Sequence, residues 1–436
     1  ARVTESIDVE LSGLGIAIEQ PLERVLDAAD ARRARVVADL RERFQPAGVL
    51  DARLTLRGNE SDLRFEVLTD RVRHVSFDAF GGRAEVRSPT GHIEVVPERV
   101  SLRGLEGELL FEGHSSGALR VDGAYSLSAM GIGTGGDEVL RGEVKEARFE
   151  APMLAAVAGE FAPGAGERIR ELGLSGAFDA GFTVRSGGEE DGLEAQIRPV
   201  EIAIERNGVS TRFNPVSGVL AVSEAGGPIE LELHAPSMHA SVRGLWTRSP
   251  EHPFLLDAEI EASASSLHDG VFGLLPSGVV SLLNGLEAES DSQMTLGDAR
   301  LLMDADGAVR FSGTVDFESL ALRVGLRLEE MLGTARVRAV LIDGSPADVE
   351  VDLTGSRASA SGAVLTDIAA RVETGGRSIR AAEGRVSDAP GTVYVPVVSA
   401  SVAGGRVAAR GTLRPSGETG TLERGAWQVG ADLSGL

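Results

Sequence analysis

The sequence predicts a mostly β protein, a long antiparallel, twisted and curled sheet that forms a repeating β-groove with a few short helices. Three observations carry this prediction. Apolar and polar residues alternate with period two over most of the chain. Turn signals break the alternation at short intervals. One strand opening also recurs: Gly48-Val-Leu-Asp-Ala-Arg-Leu-Thr-Leu56 is echoed by Gly176-Ala-Phe-Asp-Ala-Gly-Phe-Thr-Val184 and, more faintly, by Gly313-Thr-Val-Asp316.

The alternation is clearest in Leu50–Arg57, where Leu50, Ala52, Leu54 and Leu56 are separated by Asp51, Arg53, Thr55 and Arg57. The same rhythm runs through Leu119, Val121, Tyr125 and Leu127, and through Ile229, Leu231 and Leu233. It returns in Leu256, Ala258, Ile260 and Ala262, and in Val349, Val351 and Leu353. Successive strand side chains point to opposite faces, so each strand carries one apolar and one charged face. That is the pattern of an antiparallel sheet wetted on one side. Arg57-Gly-Asn-Glu60, Asp191-Gly192, Asp306-Gly307 and Asp343-Gly344 mark turns. The spacing corresponds to roughly 25 to 30 strands in a meander.

Helices are few. Pro21 to about Phe44 has Pro at the first helical position and one apolar face through Leu22, Val25, Leu26, Ala29, Val36, Val37, Leu40 and Phe44. Two shorter helices are expected near Pro152–Leu172 and Ser266–Leu286. Each helical segment precedes one of the Gly-x-x-Asp strands, which predicts three long, diverged repeats at 1–132, 133–250 and 251–436. The seams fall at Gly133–Glu138 and Thr247–Pro253.

Bulk composition narrows the function. At 436 residues the chain has the length of two to four domains. It opens at Ala1 without Met and closes at Leu436 in mid-pattern, so a longer parent protein is expected, and no internal stretch reaches the roughly 18 apolar residues of a spanning helix. Net charge is −23, with 66 acidic and 43 basic residues, so no basic stripe exists to meet a phosphate backbone and nucleic acid is excluded as a partner. The absence of cysteine removes disulfide scaffolds, thiolate metal sites and catalytic thiols.

Local motifs do not support chemistry. Gly113-His-Ser-Ser-Gly117 matches a nucleophile-elbow pattern, but that chemistry needs a helix next, and Ala118–Leu127 alternates as a strand; a hairpin tip at Ser115 is expected. Gly131-Ile-Gly-Thr-Gly-Gly136 lacks a following helix and reads as a loop. Asp304-Ala-Asp-Gly307 lacks the later ligands of a calcium loop, because Ala308 and Val315 stand where oxygen ligands belong; it reads as a hairpin turn. His234 and His239, five apart, fall on opposite faces of any continuous strand, with Pro236 between them as a possible bend. No catalytic residue, metal ligand or cofactor is assigned.

The apolar faces remain as the functional clue. One-sided strands must cover their apolar side, and so few helices leave the sheet to face itself. It can do so as a row of closed sandwiches or as a trough lined by apolar residues. Aromatics are only 4% of the chain, and a smooth lining of Leu, Val, Ile and Ala suits acyl chains, at about 0.8 kcal/mol per buried methylene. The candidate lining residues are Leu50, Leu54, Leu56, Phe178, Phe182, Val184, Val315 and Phe317, all from the recurrent strands.

Several segments share one texture: Leu119-Arg-Val-Asp-Gly123, Leu172-Gly-Leu-Ser-Gly-Ala-Phe-Asp179, Val216-Ser-Gly-Val-Leu220 and Gly404-Gly-Arg-Val-Ala-Ala-Arg-Gly-Thr-Leu413. With the long charged/aliphatic alternation, they resemble the AsmA-like family of bacterial envelope proteins, which includes the TamB-type proteins and is related in architecture to bridge-like lipid-transfer proteins. The resemblance implies a non-enzymatic periplasmic groove, anchored to the inner membrane, that conducts or shields phospholipid or another acyl lipid. The acidic exterior disfavours lying flat on an anionic membrane, so membrane proteins are expected as partners at either end. The alternative is a structural or adhesive array of β-sandwich modules at the cell surface.

Overall fold

The computed structural model describes residues 7–17, 45, 47–59, 62–79, 81–96, 99–126, 138–149, 152–161, 173–186, 192–206, 209–251, 254–267, 280, 283–284, 286–324, 326–342, 345–375, 393–414 and 426–434. It contains the mostly β, antiparallel sheet that the alternation predicts, and 22 described strands are assigned to that sheet. By contacts the chain divides into two units, Ala1–Ile202 with Val219–Gly227, and Ala203–Gly218 with Pro228–Leu436.

The first unit holds β1 (Ile7–Ala17), β2 (Ala47–Asn59), β3 (Asp62–Ala79), β4 (Gly82–Val96), β5 (Arg99–Phe111), β6 (His114–Ser126) and β7 (Glu138–Arg148). The helix α1 (Pro152–Phe161), β8 (Leu174–Ser186) and most of β9 (Gly192–Arg206) follow. Consecutive strands from β1 to β8 pair antiparallel. In the second unit are β10 (Val209–Phe213), the start of β11 (Val216–Val222), β12 (Gly226–Ala235), β13 (Met238–Thr247), β14 (Leu255–Ala264) and β15 (Met294–Asp304). The run is completed by β16 (Val309–Val324), β17 (Leu326–Ile342), β18 (Ser345–Ala360), β19 (Ala363–Gly375), β20 (Val393–Val402), β21 (Gly405–Arg414) and β22 (Ala426–Ser434). From β13 to β22 each strand again pairs with the next.

Strands are long, up to 18 residues in β3, and several exceed the spacing behind the count of 25 to 30. Most also carry a bulge. Between Val144 and Ala147 the register of β7 against β8 shifts, and Glu146 adopts φ +55°. Between Leu102 and Leu105 the register of β5 shifts, with Gly104 at φ +56°. One extra residue in the left-handed region lets the apolar residues on either side, three apart, stay on the same face. In both cases an aspartate of the neighbouring strand accepts the bulge N–H. Asp122 Oδ1 takes Gly104 N at 2.6 Å, and Asp179 Oδ1 takes Glu146 N at 3.0 Å. These are the aspartates of Leu119-Arg-Val-Asp-Gly123 and Gly176-Ala-Phe-Asp179, so these two have a backbone role, whereas Asp51 of the first recurrent strand meets Arg73 Nη2 at 3.3 Å. Gly123 (φ +123°) meets another demand: a Cβ there would lie 2.2 Å from Val139 O, so only glycine lets β6 and β7 approach.

Of the expected helices, Pro152–Phe161 is observed, and residues 162–172 lie outside the described residues. The expected helix Pro21–Phe44 lies wholly outside them, as does most of Ser266–Leu286. Residues 133–137 of the first expected seam are likewise not described, and the second, Thr247–Pro253, coincides with the β13–β14 connection.

Replacing Asp179 by Ala removes the acceptor of the exposed Glu146 N–H and is expected to destabilise the first unit by about 1 kcal/mol, whereas Asp179→Asn keeps an acceptor and most of that stability. Urea unfolding of the three proteins checks this; equal midpoints for Ala and Asn would contradict the assigned role.

Candidate functional site

The apolar face is built row by row from the strand registers. In the second unit, Ala262, Leu296, Val315 and Ala335 stand opposite one another across β14–β17, and all four are half-buried. The row starts at Ala240 on β13 and continues through Leu353, Ala370 and Val398 to Ala409 on β21. Nine strands at about 4.8 Å spacing make a row of about 38 Å, in which Ala240, Leu353 and Ala370 are buried and the other six positions are half-buried. A parallel row one step along, Met294–Phe317–Gly333–Gly355–Ile368, is covered: Phe317 is 3% and Ile368 2% exposed. The cover includes Leu267, Leu286 and Ala288, with Val280 and Leu283 packed against the same cluster. Backbone bonds hold that segment to β16, from Ala321 N to Glu289 O at 2.8 Å and from Arg323 N to Leu286 O at 2.6 Å.

The first unit repeats this gradation. Val86, Leu109, Val144, Ala147, Phe149 and Phe178 form a buried cluster, with Met153 and Leu154 of α1 packed against it. Further along the strands the register row Ile93–Leu102–Gly123–Leu140–Val184 is half-buried at every position. Phe182 lies between these zones. Its ring sits over Gly142 of β7, where a Cβ would be 2.2 Å from Phe182 Cζ, so glycine provides the seat for the ring.

The expected lining residues therefore differ among themselves. Phe178 and Phe317 are closed core, at 6% and 3% exposure. Phe182, Val184 and Val315 are half-buried on the apolar face. Leu50, Leu54 and Leu56 lie in β2 with register partners Ile16 and Val72, Leu11 and Val67, Val9 and Phe65; their side chains are outside the described residues. Leu296, Ala335, Leu102 and Leu140 were not singled out from sequence. Leu296 was obscured by the bulge at Asp298 (φ +51°), which breaks the alternation between Leu296 and Ala299.

The opposite face is ionic. On β17–β19, Arg371 meets Glu350, Glu373 (Nε–Oε1 2.5 Å) and Asp352 (3.7 Å), and Arg338 reaches Glu350 at 3.7 Å. On β14–β15, Arg300 Nε and Nη2 clamp Asp257 at 2.8 and 2.5 Å. The Arg300 hydrogen bond holds the Asp257 carboxyl below the usual carboxylate range, against a smaller opposing effect of desolvation. Such half-exposed pairs contribute about 0–1 kcal/mol each and act mainly to keep this face in water.

The tempting motifs have plain structures. Gly113 is at a turn, and Ser115 is exposed on β6 opposite Leu110, with strand continuing beyond it. Asp304 closes the β15–β16 turn, its Oδ1 accepting Ala308 N at 2.9 Å. Gly131–Gly136 lies outside the described residues. His234 and His239 are not separated by a continuous strand: the chain turns at Pro236–Ser237, and the rings lie 4.5 Å apart with His239 Nε2 3.3 Å from Glu232. Among the described residues no group of three His, Asp or Glu side chains is placed to hold a metal ion. Nor is any described helix long and apolar enough to cross a membrane.

Comparison with protein-family models, with curated proteins and with solved structures finds no match.

Two outcomes test this geometry. Phe317→Ala is expected to cost about 3–5 kcal/mol as a core truncation, while Thr314→Ala, on the other face of the same strand, stays within about 0.5 kcal/mol; denaturant midpoints compare them. For Asp257, whose folded pKa is depressed, the stabilisation is fully present above the unfolded carboxylate value near about 3.9 and is lost as pH falls through the lower folded value. An acid titration of stability should therefore lose a step of under about 1 kcal/mol in Asp257→Asn.

Proposed function

We propose that this protein is a non-enzymatic lipid-handling component of a bacterial cell envelope. Its apolar sheet face takes up the acyl chains of phospholipid, or of another acyl lipid, while the head groups remain in water. The observation that carries this reading is the half-buried aliphatic row Ala262–Leu296–Val315–Ala335 across β14–β17. Leu, Val and Ala side chains there offer contact without a hydrogen-bonding group, which suits a sliding hydrocarbon and disfavours a polar ligand. Each methylene laid on such a surface contributes up to about 0.8 kcal/mol when fully buried, so chains of ordinary length are held without any specific contact. The charged opposite face opposes self-association and flat adsorption to an anionic bilayer.

The texture shared with AsmA-like and TamB-type proteins supports a periplasmic place and an inner-membrane anchor, with phospholipid conducted or shielded between membranes, and the acidic exterior leaves membrane proteins as partners at the ends. The buried clusters around Phe178 and Phe317 favour a second reading, in which the sheet is purely structural and folds as closed modules of a surface array.

Mass spectrometry of lipids co-purifying from a bacterial envelope fraction separates the two. Wild type is expected to carry phospholipid, and Val184→Arg with Val315→Arg to lose most of it while retaining its circular dichroism. A wild-type protein that carries none, or a folded double variant that keeps all of it, supports the structural reading instead.

A further inference from the structure

His234 and His239 stand on the two arms of one tight hairpin. β12 ends at Ala235 and β13 begins at Met238, so Pro236 and Ser237 form a two-residue turn. Reversal over two residues brings the second residue on either side of the turn onto one face. The two imidazole rings accordingly lie 4.5 Å apart, with their planes tilted by 40°. The hairpin is held from both sides. Asn214 N donates to His234 O at 2.8 Å and His234 N to Pro215 O at 3.3 Å, while His239 stands opposite Ser263 in the β13–β14 ladder. Ser265 N donates to Ser237 O at 2.9 Å, at the turn itself. Backbone pairing thus fixes where both rings are rooted, and their exposure leaves each ring free to turn about its own χ angles.

This patch belongs to the ionic face, and its charge favours a cation. Glu232 precedes His234 by two residues, which places both on one side of β12, and its Oε2 lies 3.3 Å from His239 Nε2. Glu230, two residues further back, and Glu261 of β14, opposite Ser241, are exposed on the same side. Arg243 supplies one positive charge, with Nη2 3.6 Å from Glu232 Oε1.

We propose that His234 and His239 together chelate a divalent transition-metal ion of tetragonal preference, copper(II) above all, with water in the remaining positions. Imidazole is a natural ligand for copper, and among divalent first-row ions copper(II) is held most tightly by a given nitrogen site. With metal–nitrogen bonds of about 2.0 Å, two imidazoles at right angles on one ion have ring centres about 4.5 Å apart, whereas a tetrahedral angle needs about 5.2 Å. The observed separation fits the right-angled, tetragonal case. Glu232 acts as a positioning residue: it accepts from His239 Nε2 and leaves Nδ1 of that ring to the metal, as carboxylates commonly do behind ligating histidines. Two protein nitrogens are fewer than the three or four ligands of a resident structural or catalytic ion, so the ion held here is exchangeable. Once bound, it ties β12 to β13 across their turn. The site lies on the ionic face and does not depend on lipid on the apolar one.

The probe is copper(II) chloride alone, titrated calorimetrically into the full, untagged chain after treatment with a chelator. Chelation makes the second metal–nitrogen bond intramolecular, so wild type is expected to bind one equivalent at least about tenfold more tightly than His234→Ala or His239→Ala, each of which keeps one ring. Electron paramagnetic resonance of the one-equivalent complex is expected to show two coupled imidazole nitrogens in wild type and one in either variant. Variants that bind as tightly as wild type, or a wild-type spectrum without the nitrogen pair, would overturn the site; the wild-type spectrum decides even where a variant does not fold. Glu232→Gln is expected to weaken binding by about tenfold with the nitrogen pair retained, and unchanged affinity there would remove Glu232 from its positioning role.

Discussion

Everything in this molecule follows from one constraint: a strand with alternating apolar and charged residues must put all its apolar side chains on one face of the ladder. Backbone pairing fixes neighbouring strands side by side, so the apolar faces merge into rows that run across the sheet. The rows cannot be hidden by neighbouring strands of the same sheet, because those present the same face. They are covered where another segment reaches them, as with α1 at Phe178 or Leu286 and Ala288 in the Phe317 cluster. Elsewhere some positions, such as Phe213 and Ala258, are still buried, while others, such as Leu296 and Val184, stay half-open.

The bulges protect that arrangement. Over strands of 13 to 18 residues, such as β8 and β3, twist accumulates and a strict two-residue phase would carry side chains off the shared face. A single left-handed residue resets the phase, and in β5 and β7 an aspartate on the neighbouring strand satisfies its N–H. The acidic character of the sequence thus has two separate roles. Some carboxylates hold backbone in place, while others, such as Glu350 and Asp257, pair with arginine to keep the outer face wet. Neither role requires a cleft or a reacting partner.

Much of this was legible in the sequence. Val349, Val351 and Leu353 sit on one face of β18 as their spacing demands, and the hairpin readings of Gly113–Gly117 and Asp304–Gly307 correspond to real turns. Less legible was anything that depends on the third dimension. The spacing of Val144 and Ala147 looks like lost alternation until the bulge at Glu146 is seen. His234 and His239 look separated until the chain folds back at Pro236. Phe178 and Phe182 are equivalent by sequence, yet one is closed core and the other rests half-exposed over Gly142, because α1 packs against the cluster that holds Phe178. Pattern gives the face of a residue; only packing says what lies above it.

The most direct measurement is site-specific photo-crosslinking in vesicles of bacterial phospholipid, with a benzophenone side chain placed at position 184 or 315 on the apolar face and at position 314 on the ionic face. The account predicts covalent phospholipid adducts at 184 and 315 and none at 314. Equal labelling at all three positions, or adducts at none, would contradict it.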